Sequence, residues 1–113
     1  MDADSIHDLF QAVGPVTIKR MFGGKGIYVD GMIIAIELRD ELMIKGDAQS
    51  ASLYAEAGSR QWTYTQKTSK KPVSMPYWTM PEEAFDDPDE AAKWVRAALA
   101  AALRGTGIGN SCG

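Results

Sequence analysis

The stretch Arg20-Met21-Phe22-Gly23-Gly24-Lys25-Gly26-Ile27-Tyr28-Val29-Asp30-Gly31 decides how this chain is read. Its glycines and lysine invite a phosphate-loop reading, but such a loop needs four residues between its glycines, then Lys-Ser/Thr, and a helix whose first amides face the phosphate. Here Ile27-Tyr28-Val29 follow with the look of a strand, and Val29 stands where a dinucleotide fingerprint needs its last glycine. The stretch reads instead as a glycine-bent β-hairpin. Adjacent Gly23 and Gly24 let a strand kink without a Cβ penalty, and Asp30-Gly31 between apolar residues is a two-residue hairpin turn.

Working outward, Thr17 to Phe22 and Lys25 to Val29 read as strand on either side of that bend, and Met32 to Leu38 as the next strand. In the latter, strict alternation puts Met32, Ile34, Ile36 and Leu38 on one face and Ile33 and Ala35 on the other, so both faces are covered and the strand lies at the sheet centre. Arg39-Asp40 turns the chain into Glu41 to Lys45, where Leu42 and Ile44 point one way and Met43 the other. Gln61 to Thr65 alternates polar and aromatic, Lys67 to Lys71 makes a polar turn, and Pro72 to Met80 returns. Pro72 and Pro76 cannot donate to a ladder, which predicts that this last strand is at an edge or bulged.

Three helical segments punctuate these strands. Ile6, Leu9, Phe10 and Val13 follow helical spacing behind a cap at Asp4 or a neighbour, with Gly14-Pro15 as the stop. Asp47 is placed to cap Ala48 to about Ala57, with Ala51, Tyr54 and Ala55 inward and Gly58 at the end. Asp87, Pro88 and Glu90 open a helix to Leu103 whose stripe is Ala91, Trp94, Val95, Ala98, Leu99 and Ala102. The expected class is α+β, an antiparallel β-sheet of five to six strands with packed helices. Residues 1–104 form one domain, and the glycine-rich 105–113 is a flexible tail.

Composition narrows function by exclusion. A chain of 113 residues fits one domain that buries roughly two-thirds of its unfolded surface, and a net charge of −3 gives no general attraction to polyanions. Cys112 is the single cysteine, so neither a disulfide nor a Cys-based zinc cluster can form within the chain, and a reducing, cytoplasmic setting is expected. Met1-Asp2-Ala3-Asp4 lacks a basic segment followed by an apolar one, and no apolar run has membrane-spanning length, so neither export nor membrane insertion is expected.

No coherent catalytic set, metal site or cofactor site emerges. His7 is the lone histidine and has no second imidazole or nucleophile to work with. Glu82, Glu83, Asp86, Asp87, Asp89 and Glu90 crowd a helix opening, where dipole and capping effects account for them. The remaining candidate is an interaction surface of Arg60, Lys67, Lys70 and Lys71 with Tyr77 and Trp78. Trp62 and Tyr64 share a strand face that Tyr77 can lie across, whereas Tyr77 and Trp78 point to opposite faces. At least one of that last pair therefore needs cover from a helix, a partner chain or a ligand.

Several blocks then align in order: Arg20-Met21-Phe22-Gly23-Gly24, Gly26-Ile27-Tyr28, Gly31, Ala55-Glu56-Ala57-Gly58-Ser59, Trp62-Thr63-Tyr64, Pro72-Val73-Ser74-Met75-Pro76-Tyr77-Trp78 and Pro81-Glu82-Glu83. Together, over about residues 5 to 103, they resemble the N-terminal domain of the TfoX/Sxy family. The resemblance implies an α+β domain similar to type III secretion chaperones and a bacterial, non-enzymatic role in transcription regulation. Members linked to natural competence look like co-activators that work with the cAMP receptor protein at promoters. It brings no catalytic residues. The best-known members carry a second, C-terminal domain, so the expectation here is a stand-alone first domain.

Three functions follow as expectations. The leading one is a cytoplasmic regulator acting by contact with a protein partner, such as the transcription machinery or a cAMP receptor protein-like regulator. The second is a nucleic-acid-binding module using the basic and aromatic hairpin. The third is an enzyme or small-ligand carrier with a pocket beside Tyr28, Trp62 or Trp78. A homodimer is also expected, from the chaperone-like architecture and an unpaired sheet edge.

Overall fold

The computed structural model describes residues 2–21, 23–65 and 67–106. Along the chain it places α1 (Ala3–Leu9), a 3-10 turn (Gln11–Val13), β1 (Thr17–Met21), β2 (Gly24–Val29), β3 (Met32–Leu38), β4 (Glu41–Lys45), α2 (Ala51–Glu56), β5 (Gln61–Thr65), β6 (Pro72–Thr79), α3 (Glu83–Asp86) and α4 (Pro88–Thr106). The strands form one antiparallel sheet in the order β1-β2-β3-β4-β6-β5. The expected α+β class holds, and β3 with β4 forms the sheet centre.

Two of the hairpins close in the way their twist demands. Asp30 and Gly31 have φ of 50° and 82°, and Arg39 and Asp40 have φ of 51° and 64°, the doubly left-handed geometry that matches tight two-residue connections to right-twisted strands. The Gly23-Gly24 element differs from its reading as a kink in a continuing strand. Met21 pairs with Gly24, so the chain reverses there and β1 and β2 are separate strands. Gly24 is required for a second reason, since a Cβ there would run into the Glu37 carbonyl of β3.

The strict alternation expected for β3 also fails. Ile27 pairs with Ala35 while its neighbour Tyr28 pairs with Ile33, which makes Ile34 a surplus residue, a β-bulge. The bulge places Ile34 and Ala35 on the same face. Ile34 and Ala35 therefore pack with Ile27 and Ile44 in the main core, whereas Ile33, Ile36 and Leu38 join the other side of the sheet. Face assignments for Ala35, Ile36 and Leu38 are thereby reversed relative to the sequence reading.

The main core lies between the sheet and α4. Helix α4 begins with Asp87 accepting from the Asp89 N–H at 2.9 Å, and its buried stripe contains Ala91, Trp94, Val95, Ala98 and Ala102 as its spacing predicts, with Ala101 in addition. It runs on through Thr106, so Gly105 and Thr106 belong to the helix. Residues 107–113, with Cys112 and the rest of the expected flexible tail, lie outside the described residues. The first helix is capped by Asp2, whose Oδ1 accepts from the Ser5 N–H at 2.8 Å, rather than by Asp4. It delivers Ile6 and Phe10 to the same core.

Helix α2 is shorter than expected and locked at both ends. Asp47 and Ser50 bond reciprocally, Asp47 N–H to Ser50 Oγ at 2.9 Å and Ser50 N–H to Asp47 Oδ1 at 3.0 Å, a capping box built one turn ahead of the regular helix. At the other end Ser59 N–H reaches the Tyr54 carbonyl at 2.9 Å and Gly58 N–H the Ala55 carbonyl at 3.1 Å, with Gly58 at φ 80°, the left-handed close expected of that glycine. Tyr54 is fully buried as predicted, but Ala55 faces solvent and Ala57 packs on the core instead.

Candidate interaction surface

Strand β6 connects the two faces of the sheet. Within it, Trp78 joins the main core, stacking on Tyr54 at 5.4 Å between ring centroids, and Tyr54 stacks in turn on Trp94 at 5.2 Å. The Tyr54 hydroxyl donates to the Lys45 carbonyl at 2.7 Å, and burial pushes its ionisation well above the usual phenol range. Gly46 makes this stack possible, because a Cβ there would sit 2.6 Å from both Trp78 and Tyr54. An ion pair closes the assembly: Arg104 Nε and Nη2 donate to Asp47 Oδ2 and Oδ1 at 2.6 and 3.0 Å, tying the end of α4 to the start of α2. The Arg104 guanidinium, with help from Ser50, holds the Asp47 carboxyl down at about 2.

Tyr77, next in sequence, faces the other way. It forms a second cluster with Ile36 and Met43, flanked by partly buried Met21, Ile33, Leu38, Trp62 and Met75. Every described member of this cluster comes from a strand, so no helical residue covers it among the described residues. Trp62 leans on Tyr77 at 6.5 Å with the rings tilted 55°, Lys45 Nζ lies 5.7 Å from the Tyr77 ring centre, and Lys19 Nζ lies 5.0 Å from that of Tyr28. Burial again raises the Tyr77 phenol. Methionines in three strands give this face an adaptable, polarisable surface.

At one end of the face opens a hollow of about 700 Å³. Its apolar wall is Leu38, Met43 and Trp62, and its rim carries Arg39 and Arg60 with Glu41. Both arginines are exposed, and neither forms an ion pair with a described residue. A neighbouring hollow shares Glu41, Arg60 and Thr79 and is bounded by Glu82 and Glu83.

The sequence model of the TfoX N-terminal domain matches residues 8–102, most of the chain and all the elements just described from the end of α1 to α4. This chain belongs to the TfoX N-terminal domain family. Membership suggests a regulatory or competence-related role. No curated protein matches the chain.

In this TfoX N-terminal domain the predicted surface residues divide three ways. Tyr77 and Trp78 do point to opposite faces, but each is only 7% exposed, so neither is the uncovered aromatic that the sequence reading required. Trp78 gets its cover from α2 and Tyr77 from its own sheet neighbours. Lys67, Lys70 and Lys71 are exposed at the tip of the β5–β6 hairpin, whereas Arg60 precedes β5 at the hairpin's other end, its carbonyl bonded to the Thr79 N–H. The four cations therefore form no single patch. The Tyr64 side chain lies outside the described residues.

The prolines of β6 sit where the ladder permits. Gln61 pairs with Trp78 but Thr63 with Ser74, which leaves Met75, Pro76 and Tyr77 opposite Trp62 alone, a bulge containing Pro76. The Pro76 carbonyl accepts from Gly46 N–H, and the Met75 carbonyl accepts from Gln61 Nε2. Strand β6 is thus bulged, as one branch of the prediction had it, while β5 holds the edge.

His7 and the acids of α3 and the α4 opening are mostly exposed. Among the described residues, no three His, Cys, Asp or Glu side chains gather as a metal site would require, and no helix is long and apolar enough to cross a membrane. The residues that sequence reasoning passed over are Arg39, Lys19, Lys45 and the partners of Met43. Their signal was present in the alternation of β4 and in the Arg39-Asp40 turn, but it needed the strand order to become a surface.

Proposed function

We propose that this chain is a non-enzymatic regulatory protein of the transcription-regulating type, acting through contact with a protein partner on the strand-only face of its sheet. One observation carries the reading: around buried Ile36, Met43 and Tyr77 lie partly buried Met21, Ile33, Leu38, Trp62 and Met75, a methionine-rich apolar face with no helical member among the described residues. Family membership supports the regulatory half. The face offers aliphatic and thioether surface rather than a row of bare aromatic rings, which favours a protein over stacked bases.

The test pairs a strain lacking the gene with one encoding Ile33→Asp and Met75→Asp, two partly exposed positions on that face. Transcript profiles should change in the deletion strain, and the double variant, checked for its fold by circular dichroism, should reproduce the change. An unaltered profile in the deletion strain rejects the regulatory role. A folded double variant that behaves as wild type rejects the face.

A further inference from the structure

The hollow beside Trp62 has a chemical counterpart on the same molecule. Its wall is apolar, Leu38, Met43 and Trp62, and the guanidiniums of Arg39 and Arg60, neither ion-paired with a described residue, flank it together with the Glu41 carboxylate. What such a site takes is an apolar side chain with carboxylates on either side. The segment Glu82-Glu83-Ala84-Phe85-Asp86 supplies that pattern: Phe85 is 48% exposed, one of two large apolar side chains so exposed among the described residues, and Glu82, Glu83 and Asp86 around it all face solvent.

We infer that the occupant is a second copy of this chain, with Phe85 of each protomer seated in the Trp62 hollow of the other and its acids paired to Arg39 and Arg60. The acidic start of that segment neighbours the hollow, because Arg60 borders both the large hollow and the smaller one that Glu82 and Glu83 bound, while Phe85 lies farther along, beside Leu9, Ala12 and Ala91. Adjacent complementary patches let a two-fold axis pass between them, so the contact is made twice and closes as a dimer rather than growing into a chain. Glu82 and Glu83 beside Arg60 also argue against a continuous polyphosphate on this rim, since a nucleic acid brings its charges in an unbroken row. A flat lipid surface would leave the recessed wall of the hollow empty. The charge pairs stand at the border of the contact, where they set orientation and salt dependence while the ring supplies burial.

Sedimentation of the full chain tests this over concentrations up to about 1 mM, the range in which weak association registers. The 12.3 kDa chain should move toward twice that mass as concentration rises, and added salt should weaken the shift. Phe85→Ser should remain monomeric. Arg39→Glu/Arg60→Glu and Glu82→Lys/Glu83→Lys should each be monomeric alone and should form a mixed dimer when combined, because both two-fold-related contacts then join opposite charges. All the substituted side chains are exposed, and circular dichroism confirms each fold. A monomer at every concentration overturns the inference, as does a dimer indifferent to the substitutions or a mixture of the charge variants that stays monomeric. None of these outcomes depends on the transcript profiles that test the regulatory role.

Discussion

The two faces of this sheet are built from neighbouring residues yet held by different means. Trp78 enters a stack of three aromatic rings under two helices, with hydrogen bonds and an ion pair closing around it. Tyr77, one residue earlier, is covered by a lysine, a tilted tryptophan and thioethers from adjoining strands. The first face spends its apolar surface on stability, and the second keeps much of it at half cover. The comparison separates the scaffold from the face proposed for contact without any catalytic residue being invoked.

The sharpest way to break it is to empty the covered face. Trp94→Ala removes an end of the ring stack and should cost about 3 to 5 kcal/mol in denaturant unfolding; a loss comparable to that of an open-face substitution would erase the distinction. Next in size is Gly46→Ala, whose added methyl meets Trp78 and Tyr54 at 2.6 Å and should destabilise by roughly 1 to 3 kcal/mol through overpacking. Thermal melts that match wild type would show that the stack has slack.

Acid probes the ion pair. The Asp47 carboxyl sits at about 2 when folded, below its ordinary 3.8, so its contribution is fully present above about pH 4 and is lost as pH falls toward 2. With the pair partly exposed, the step should be about 1 kcal/mol after allowance for solvent screening. Urea titrations across that window should show it in the wild type and not in Asp47→Asn; equal steps in both would remove Asp47 from the account. The smallest effect belongs to the open face, where Trp62→Ala should cost no more than about 1 kcal/mol. A collapse of the fold on that change would make Trp62 a core residue and withdraw it from the contact surface.

Local signals made most of the fold legible. Asp30-Gly31 and Arg39-Asp40 turn where their chemistry says, Gly58 ends its helix left-handed, and the α4 stripe is the one its spacing draws. What stayed hidden depends on pairing between strands. No local pattern marks Ile34 as surplus, because an unbroken apolar run fits either parity, and only the register against Ile27 and Tyr28 reveals it. The site was harder still. Aromatic and basic residues were conspicuous in sequence, but Trp78 and Tyr77 are largely consumed by packing, while Arg39 and Met43 acquire meaning only when β3, β4 and β6 lie side by side.

The surplus residue in β3 also dictates where this chain can change length. Removing one amino acid between positions 33 and 35 would restore strict alternation and send Ile36 and Leu38 under α4, with Glu37 turned to the opposite side. Adding or deleting residues at the solvent-facing tip between β5 and β6 disturbs no such parity. A deletion scan should therefore find the central strand intolerant and the lysine tip permissive, so that insertions and deletions in related chains would be confined to the rim while the middle of the sheet keeps a constant count.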